Sequence, residues 1–406
     1  MHVVVTGMGV VSPIGIGTDQ FWTAAVNGVS GIQRIKSFDA SGQRSQIAGE
    51  IPGFNPAGFL SAKYIEQTDR FTQLALLATS LALEDAGGLD VYAPQRLAVS
   101  IGSGMGGFAT FEASATRNFR NQPTPPFTVP RTMANSAAAW IAIKHQFKGV
   151  NLTCSTACSS GANAIGIALD LLRTGRADAV IAGGAEACVL PLTMTGFEAL
   201  RALTTGFNTA PARASRPFAK GRDGFVMSEG AGVLILEKEE NAKQRGAKMY
   251  ARLAGYGQAC DATHIVMPEM NGQVAAMRLA ITDAGMEPDS IDYINAHATS
   301  TPLGDIVETR AIKHLFEDRA GDISINATKS MIGHTVGASA AIGSIATIMA
   351  LHTGTIHPTI NLDEADPECD LAYTPNYAQQ KNPRNGLCNA FGFGGNNASI
   401  LFTTLE

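Results

Sequence analysis

The sequence predicts an α/β protein, and two observations carry that reading. Short β-branched runs alternate with longer apolar stretches of helical spacing, and the order of these elements occurs twice, at a period far longer than any solenoid repeat. Strands are expected at 3–6, 97–101, 179–182, 233–236 and 323–325, and helices at 71–86 and 161–174. The first copy opens with a strand running into Gly7-Met8-Gly9, whose counterpart spans 250–257. Its strand and loop at 99–107 correspond to 293–304, and the turn and helix around Cys158 correspond to 332–351. Each copy closes on a glycine turn and an apolar strand: Gly230-Ala231-Gly232-Val233-Leu234 in the first, Gly394-Gly395-Asn396-Asn397-Ala398-Ser399-Ile400-Leu401 in the second. The expected division lies near residue 245, giving halves 1–245 and 246–406 with the charged stretch 237–248 as a solvated joint.

With 406 residues and 45% hydrophobic content, the chain can bury a large core. Lysine plus arginine (30) nearly balances aspartate plus glutamate (35) without a basic run, which argues against a nucleic-acid partner. The 6 cysteines (154, 158, 188, 260, 369, 388) lack the paired spacing of a zinc site and suggest no disulfide framework, so no metal is expected and a reducing cytoplasm fits. The N-terminus reads as a strand rather than a secretory leader. The apolar stretch 335–351, rich in Ala, Gly and Ser, reads as a buried helix rather than a membrane span.

Three segments carry chemistry. In Cys154-Ser155-Thr156-Ala157-Cys158-Ser159-Ser160-Gly161-Ala162-Asn163 a small-residue turn runs into an apolar helix, where unpaired N–H groups and the helix dipole favour a thiolate. A second segment, Asn295-Ala296-His297-Ala298-Thr299-Ser300-Thr301, sets a histidine after a strand among hydroxyl residues. The third, Lys329-Ser330-Met331-Ile332-Gly333-His334-Thr335-Val336-Gly337, puts a histidine at the start of the helix equivalent to that of Cys158. One Cys–His pair suits acyl transfer or hydrolysis. A second imidazole adds a second donor, and two N–H groups converging on one carbonyl oxygen stabilise an enolate, which points to carbanion chemistry on a thioester.

A further glycine-rich loop, Gly102-Ser103-Gly104-Met105-Gly106-Gly107, satisfies the dinucleotide fingerprint, but residues 121–129 lack the acidic partner that a nicotinamide site needs. Those glycines are expected to allow close packing beside an acyl pocket.

Over essentially its whole length the chain resembles the β-ketoacyl-ACP synthases of the type II elongating class, in the thiolase-like fold. The resemblance rests on Thr156-Ala157-Cys158-Ser159-Ser160-Gly161, on Arg213-Ala214-Ser215-Arg216-Pro217-Phe218 continuing through Arg222-Asp223-Gly224-Phe225-Val226, on the two histidine segments, and on Phe391-Gly392-Phe393-Gly394-Gly395. It implies two duplicated halves in a five-layered α-β-α-β-α architecture, and a ping-pong decarboxylative condensation in fatty-acid or polyketide-like synthesis. Cys158 would take an acyl group from the phosphopantetheine of acyl carrier protein, its oxyanion held by the N–H groups of Cys158 and Phe393. Neutral His297 and His334 would hold the thioester oxygen of malonyl-carrier during loss of carbon dioxide. Lys329, paired with Glu308, would orient the cluster. Thr299 and Thr301 would bind the pantetheine arm, and Met105 and Phe197 would line the acyl pocket. Phe393 would be a gate, with Gly392, Gly394 and Gly395 freeing its loop. The resemblance implies no bound cofactor, and a homodimer or a heterodimer with a related subunit.

Several positions depart from the family pattern. Ala298 stands where most relatives have Gly, Ser228 where Gly is usual, and Asn396 where Thr or His is common. The segment Lys63-Tyr64-Ile65-Glu66-Gln67-Thr68-Asp69-Arg70 keeps little of a basic cluster found in several relatives, which suggests a specialised carrier from a secondary-metabolite or signal-lipid pathway. A thiolase is disfavoured because Cys388 does not lie in the second-cysteine motif expected of one, and a non-catalytic chain-length-factor-like partner because the nucleophile is retained.

Overall fold

The computed structural model describes residues 1–405. The principal elements of the first half are β1 (Val3–Ser12), α1 (Arg70–Asp85), β2 (Leu97–Gly102), α2 (Ser136–His145), β3 (Asn151–Cys154), α3 (Ser160–Arg173), β4 (Ala179–Ala187) and β5 (Glu229–Lys238). Those of the second are β6 (Ala251–Cys260), α4 (Met270–Asp283), β7 (Tyr293–Asn295), α5 (Pro302–Phe316), β8 (Ser324–Asn326), α6 (Ser339–Thr353), β9 (Asn385–Gly392) and β10 (Asn396–Thr403).

Hydrogen bonding orders the strands β8-β7-β9-β10-β6-β1-β5-β4-β2-β3. Outward from the β6/β1 seam, each side reads antiparallel, antiparallel, parallel, parallel. The same topology has therefore been built twice. The seam itself is short: only Val3, Val4 and Val5 pair with Leu253, Arg252 and Ala251. On the outer face of the first sheet lie α1 and α2, on that of the second α4 and α5, while α3 and α6 pack against each other between the sheets. The result is five layers.

Each helix follows from its sequence. The side chains of α6 are apolar or small all round, and residues 339–351 are all buried, as a helix between two sheets requires. The apolar stretch 336–353, long enough to cross a membrane, is this helix and lies 89% buried inside the molecule. In β1, a Cβ at Gly9 would sit 1.9 Å from the Ala78 carbonyl oxygen of α1, and one at Gly7 2.3 Å from that of Ala82. The second half repeats the arrangement, with Gly257 and Gly255 each 2.1 Å by the same measure from Ala276 and Ala280 of α4. Bare glycines on the strand and alanines on the helix let the two backbones touch, a contact any side chain would force apart. The stretch 237–248 contains a short helix, Glu239–Gln244, held by Arg252–Glu239 and Lys243–Glu239 ion pairs. No disulfide forms; all the cysteines are free.

Candidate active site

Cys158 sits in a single 3-10 turn, Ala157–Ser159, directly before α3. Hydroxyls knit the turn: Ser160 Oγ accepts from the Thr156 N–H at 2.9 Å and donates to the Ala157 carbonyl at 2.6 Å, and Ser159 Oγ donates to the Thr156 carbonyl at 2.8 Å. They hold Ala157 at φ 53, a left-handed conformation that costs a non-glycine residue about 1–2 kcal/mol. The equivalent turn of the second half, Val336–Ala338 before α6, repeats the geometry with Val336 at φ 42. There Gly337 occupies the place of Cys158, and Ser339 that of Ser160.

This pair of turns brings the two halves' chemistry together. His334 Nε2 lies 3.0 Å from Cys158 Sγ, and His334 Nδ1 lies 2.9 Å from Ser339 Oγ. The His297 ring meets His334 edge-on at 5.4 Å between centroids, and Phe225 braces the other side of His334 at 5.2 Å. His297 follows β7, and its Nδ1 is buried without a hydrogen-bond partner among the described residues. A cavity of about 450 Å³ opens onto the cluster, lined among others by Met105, Phe197, Thr299, Thr301, Glu308 and Phe393. The donor atoms of Cys158, His297 and His334 lie within 4.8 Å of one another, close enough for a metal ion, but the sulfur would first have to lose its proton to become a ligand.

Electrostatics corrects one sequence expectation. Burial pushes the Cys158 thiol from an ordinary 9.0 up to about 11; the Phe393 backbone N–H and the Lys329 charge pull it down by less. The turn therefore stores a thiol, and the helix start does not leave a thiolate at neutral pH. Burial, followed by the Lys329 charge, holds both His297 and His334 well below the ordinary imidazole value, so both rings are neutral.

A second correction concerns Lys329, whose own ionisation burial pulls downward. It is buried and forms no direct ion pair with Glu308 among the described residues. Glu308 instead accepts from the N–H groups of His297 (2.8 Å) and Ala298 (2.7 Å) and from Asn389 Nδ2 (3.2 Å). Those bonds satisfy its carboxylate and hold the histidine loop, so Lys329 acts on the cluster through its field alone.

The gate residues divide. Gly394 (φ 79) and Gly395 (φ 69) take conformations that favour glycine. Gly392 does not: a Cβ there would lie 2.9 Å from the Thr156 carbonyl oxygen and 3.1 Å from Cys158 N, so its smallness serves close contact with the nucleophile turn rather than freedom. Phe393 faces Phe197 at 6.3 Å across the cavity.

The hydroxyls of Thr299 and Thr301 lie 3.2 Å apart, and that of Thr301 also accepts the Gly304 N–H at the start of α5, so a capping duty already occupies part of its capacity. The dinucleotide-like loop is closed to phosphate because the Gly104 and Met105 N–H groups are taken by the buried Glu186 carboxylate at 2.7 and 3.2 Å. The departing residues have local work: Asn396 Nδ2 donates to the Phe393 carbonyl at 3.1 Å, and Ser228 Oγ to that of Gly49 at 2.9 Å. Ala298 is held at φ 29.

Sequence reasoning passed over Phe225, Ser339, Asn389 and Glu186. Phe225 stood inside a quoted motif, and Ser339 occupies the duplicate position of Ser160. Asn389 and Glu186 leave no signal, because their partners come from elements distant in the chain.

Residues 1–242 match the family model of the beta-ketoacyl synthase N-terminal domain, and residues 250–363 that of its C-terminal domain. The chain is 43% identical over 406 residues to 3-oxoacyl-(acyl-carrier-protein) synthase 2 of Synechocystis sp., covering 99% of this chain and 97% of that relative. It is 42% identical over 409 residues to the protein of the same name from Coxiella burnetii, covering 99% and 98%. Among solved structures, a beta-ketoacyl synthase from Burkholderia phymatum superposes with a TM-score of 0.94 at 33% identity, covering 100% of both chains. The ishigamide ketosynthase/chain length factor superposes with 0.94 at 34% identity, covering 100% of this chain and 99% of the other. A ketosynthase solved in complex with its type II polyketide acyl-carrier protein gives 0.92 at 34%, with coverages of 100% and 99%. The five-layered arrangement is thus the thiolase-like one implied by the resemblance, and the chain belongs to the beta-ketoacyl synthase family.

Proposed function

We propose that this chain is a 3-oxoacyl-ACP synthase that joins a Cys158-bound acyl group to the two-carbon unit of a malonyl-carrier. The observation that carries the reading is the meeting of Cys158 Sγ with His334 Nε2 at 3.0 Å, beside a second neutral imidazole, in an apolar cavity. Such a site suits an enolate better than hydrolysis, because the buried rings act as neutral donors where an imidazolium would be costly.

Cys158 attacks the acyl-carrier thioester as its minority thiolate, having released a proton to solvent. The Cys158 and Phe393 N–H groups hold the oxyanion, and the departing carrier thiolate takes a proton from solvent. Malonyl-carrier then binds, and His297 and His334 donate to its thioester oxygen as the carbon–carbon bond to the carboxylate breaks and carbon dioxide leaves. The carbanion attacks the acyl carbon, the bond to Cys158 Sγ breaks, and the thiolate regains a proton. The product is a 3-oxoacyl thioester two carbons longer.

No resident cofactor enters the scheme, since the phosphopantetheine arm arrives on the carrier, alongside Thr299 and Thr301 on the cavity wall. Met105 and Phe197 line the acyl side, and Lys329 and Glu308 keep the cluster in place. The halves 1–245 and 246–406 contribute the thiol and the imidazoles respectively, and the enzyme works in the cytoplasm as a homodimer or with a related subunit.

A specialised carrier is favoured by the segment 63–70. Arg70 is committed to Glu229 through two bonds of 2.6 Å, which leaves Lys63 as the segment's exposed cation for an acidic carrier helix. The deciding experiment mixes the protein with acyl-carrier and malonyl-carrier. An acyl adduct on Cys158 by intact mass, followed by carbon dioxide and a 3-oxo product, is expected; no Cys158-dependent adduct would favour a non-catalytic partner. Equal turnover with the housekeeping fatty-acid carrier and all others would remove the case for a dedicated one.

A further inference from the structure

His334 needs one defined tautomer for the proposed chemistry, because only an Nε2–H can donate to the thioester oxygen. Its Nδ1 has a single hydrogen-bond partner among the described residues, the hydroxyl of Ser339 at 2.9 Å, and that hydroxyl lies 3.1 Å from Thr335 Oγ1. All three residues are buried, and Thr335 Oγ1 has no other hydrogen-bond partner among the described residues.

A line of two hydroxyls ending on an imidazole nitrogen can point either way. If Nδ1 carried the proton, it would donate to Ser339, Ser339 would donate to Thr335, and the buried Thr335 hydroxyl proton would be left without an acceptor among the described residues. In the opposite sense Thr335 donates to Ser339 and Ser339 donates to Nδ1. Every hydroxyl proton then has an acceptor, and only a lone pair on Thr335 goes unused. Orphaned buried donors are rarer and more costly than under-used acceptors. We infer that Ser339, backed by Thr335, is a positioning residue that fixes His334 in the Nε2–H tautomer and so keeps it a donor to the substrate oxygen.

The duplication supports this. At the equivalent place in the first half, Ser160 spends its hydroxyl on the backbone of its own turn, accepting from Thr156 and donating to Ala157. Ser339 has no such backbone bond and faces the ring instead. No proton crosses the chain in this role; the hydroxyls only hold the ring's hydrogen on the far nitrogen, which aims it at Sγ in the empty site and at the thioester oxygen when malonyl-carrier is bound.

The inference rests on the condensing reading for its kinetic consequence, but its first test does not. Nitrogen-15 spectra of the imidazole-labelled wild-type protein at pH 7 should show His334 with Nδ1 bare and Nε2 protonated in more than nine-tenths of molecules. An Nδ1–H majority overturns the inference whatever the enzyme does. The second test is Ser339→Ala, which removes the donor. Decarboxylation of malonyl-carrier should fall about 10-fold, the His334 tautomers should mix, and the rate of Cys158 alkylation should stay within about 2-fold of wild type. Unchanged decarboxylation, or equal losses in decarboxylation and alkylation, would show that Ser339 merely packs. If Ser339→Ala does not fold, the wild-type spectrum alone decides. Absence of any malonyl decarboxylation in the wild type would instead strike the condensing reading and leave the tautomer assignment standing.

Discussion

The ionisation of Cys158 gives a prediction with a worked magnitude. Its sulfur is buried, and its thiol is pushed from 9.0 to about 11. A rise of about two units is worth roughly 3 kcal/mol against the anion, so at pH 7 roughly one molecule in 10⁴ carries a thiolate, compared with about one in 10² for an ordinary thiol of that kind. Only the thiolate attacks an alkylating agent. Because the value is raised, reactivity must climb with pH, about tenfold per unit from pH 7 to 9, with no plateau before about pH 10. Neutral His334 does not alter this slope, since its own protonation lies well below 6.5. The assay is the second-order rate of iodoacetamide modification at Cys158, followed by intact mass with peptide mapping against the other free cysteines. Lys329→Met removes the positive charge that holds the thiol down and should slow the reaction at pH 8 by a further 3- to 10-fold, on the order of one pKa unit or less. A rate that levels off at or below pH 8 would refute the reasoning, since the thiolate would then be ready-made as the sequence alone suggests.

Other outcomes follow from the same geometry. Cys158→Ala should lower condensation by roughly four orders of magnitude or more while malonyl-carrier is still decarboxylated, because the two imidazoles remain; radiolabelled carbon dioxide release checks it. His297→Ala and His334→Ala should each cut decarboxylation by about 10²–10³-fold, the usual cost of one lost oxyanion donor, with Cys158 alkylation serving as the control for folding. Gly9→Ala and Gly257→Ala place a methyl against a helix carbonyl in matching positions of the two halves. Each should destabilise by about 1–3 kcal/mol in denaturant titrations, and a neutral result at either would mean that the close strand–helix crossing is not holding its half together.

The duplicated order of elements was legible because the glycine punctuation recurs: Gly7 and Gly9 against Gly255 and Gly257, and the closing turns at 230–232 and 394–395. The thiol and both imidazoles were legible because each lies on a short local pattern of small residues. What escaped the sequence is what depends on distance through space. The thiol's reluctance to ionise comes from burial among Val336, Phe225, Met227 and Cys188, all far from it in the chain. Glu308 was visible as a helper, but its hydrogen bonds go to the loop at 297–298 and to Asn389, and the Lys329 charge reaches it without a direct ion pair. Gly392 looked like a hinge because a glycine of freedom and a glycine of contact have the same letter, and only the Thr156 carbonyl beside it tells them apart.

The twin turns before α3 and α6 have a consequence for how such a centre can arise. Where one carries Cys158 the other carries Gly337, and His334 is drawn from just ahead of the second. Two identical subunits related by symmetry would be obliged to place every group twice, facing a nucleophile with another nucleophile. Fusing the copies into one polypeptide lifts that obligation: each loop drifts on its own, one toward supplying electrons and the other toward receiving them. The asymmetry that turnover demands is thus inherited from a covalent link between near-equals.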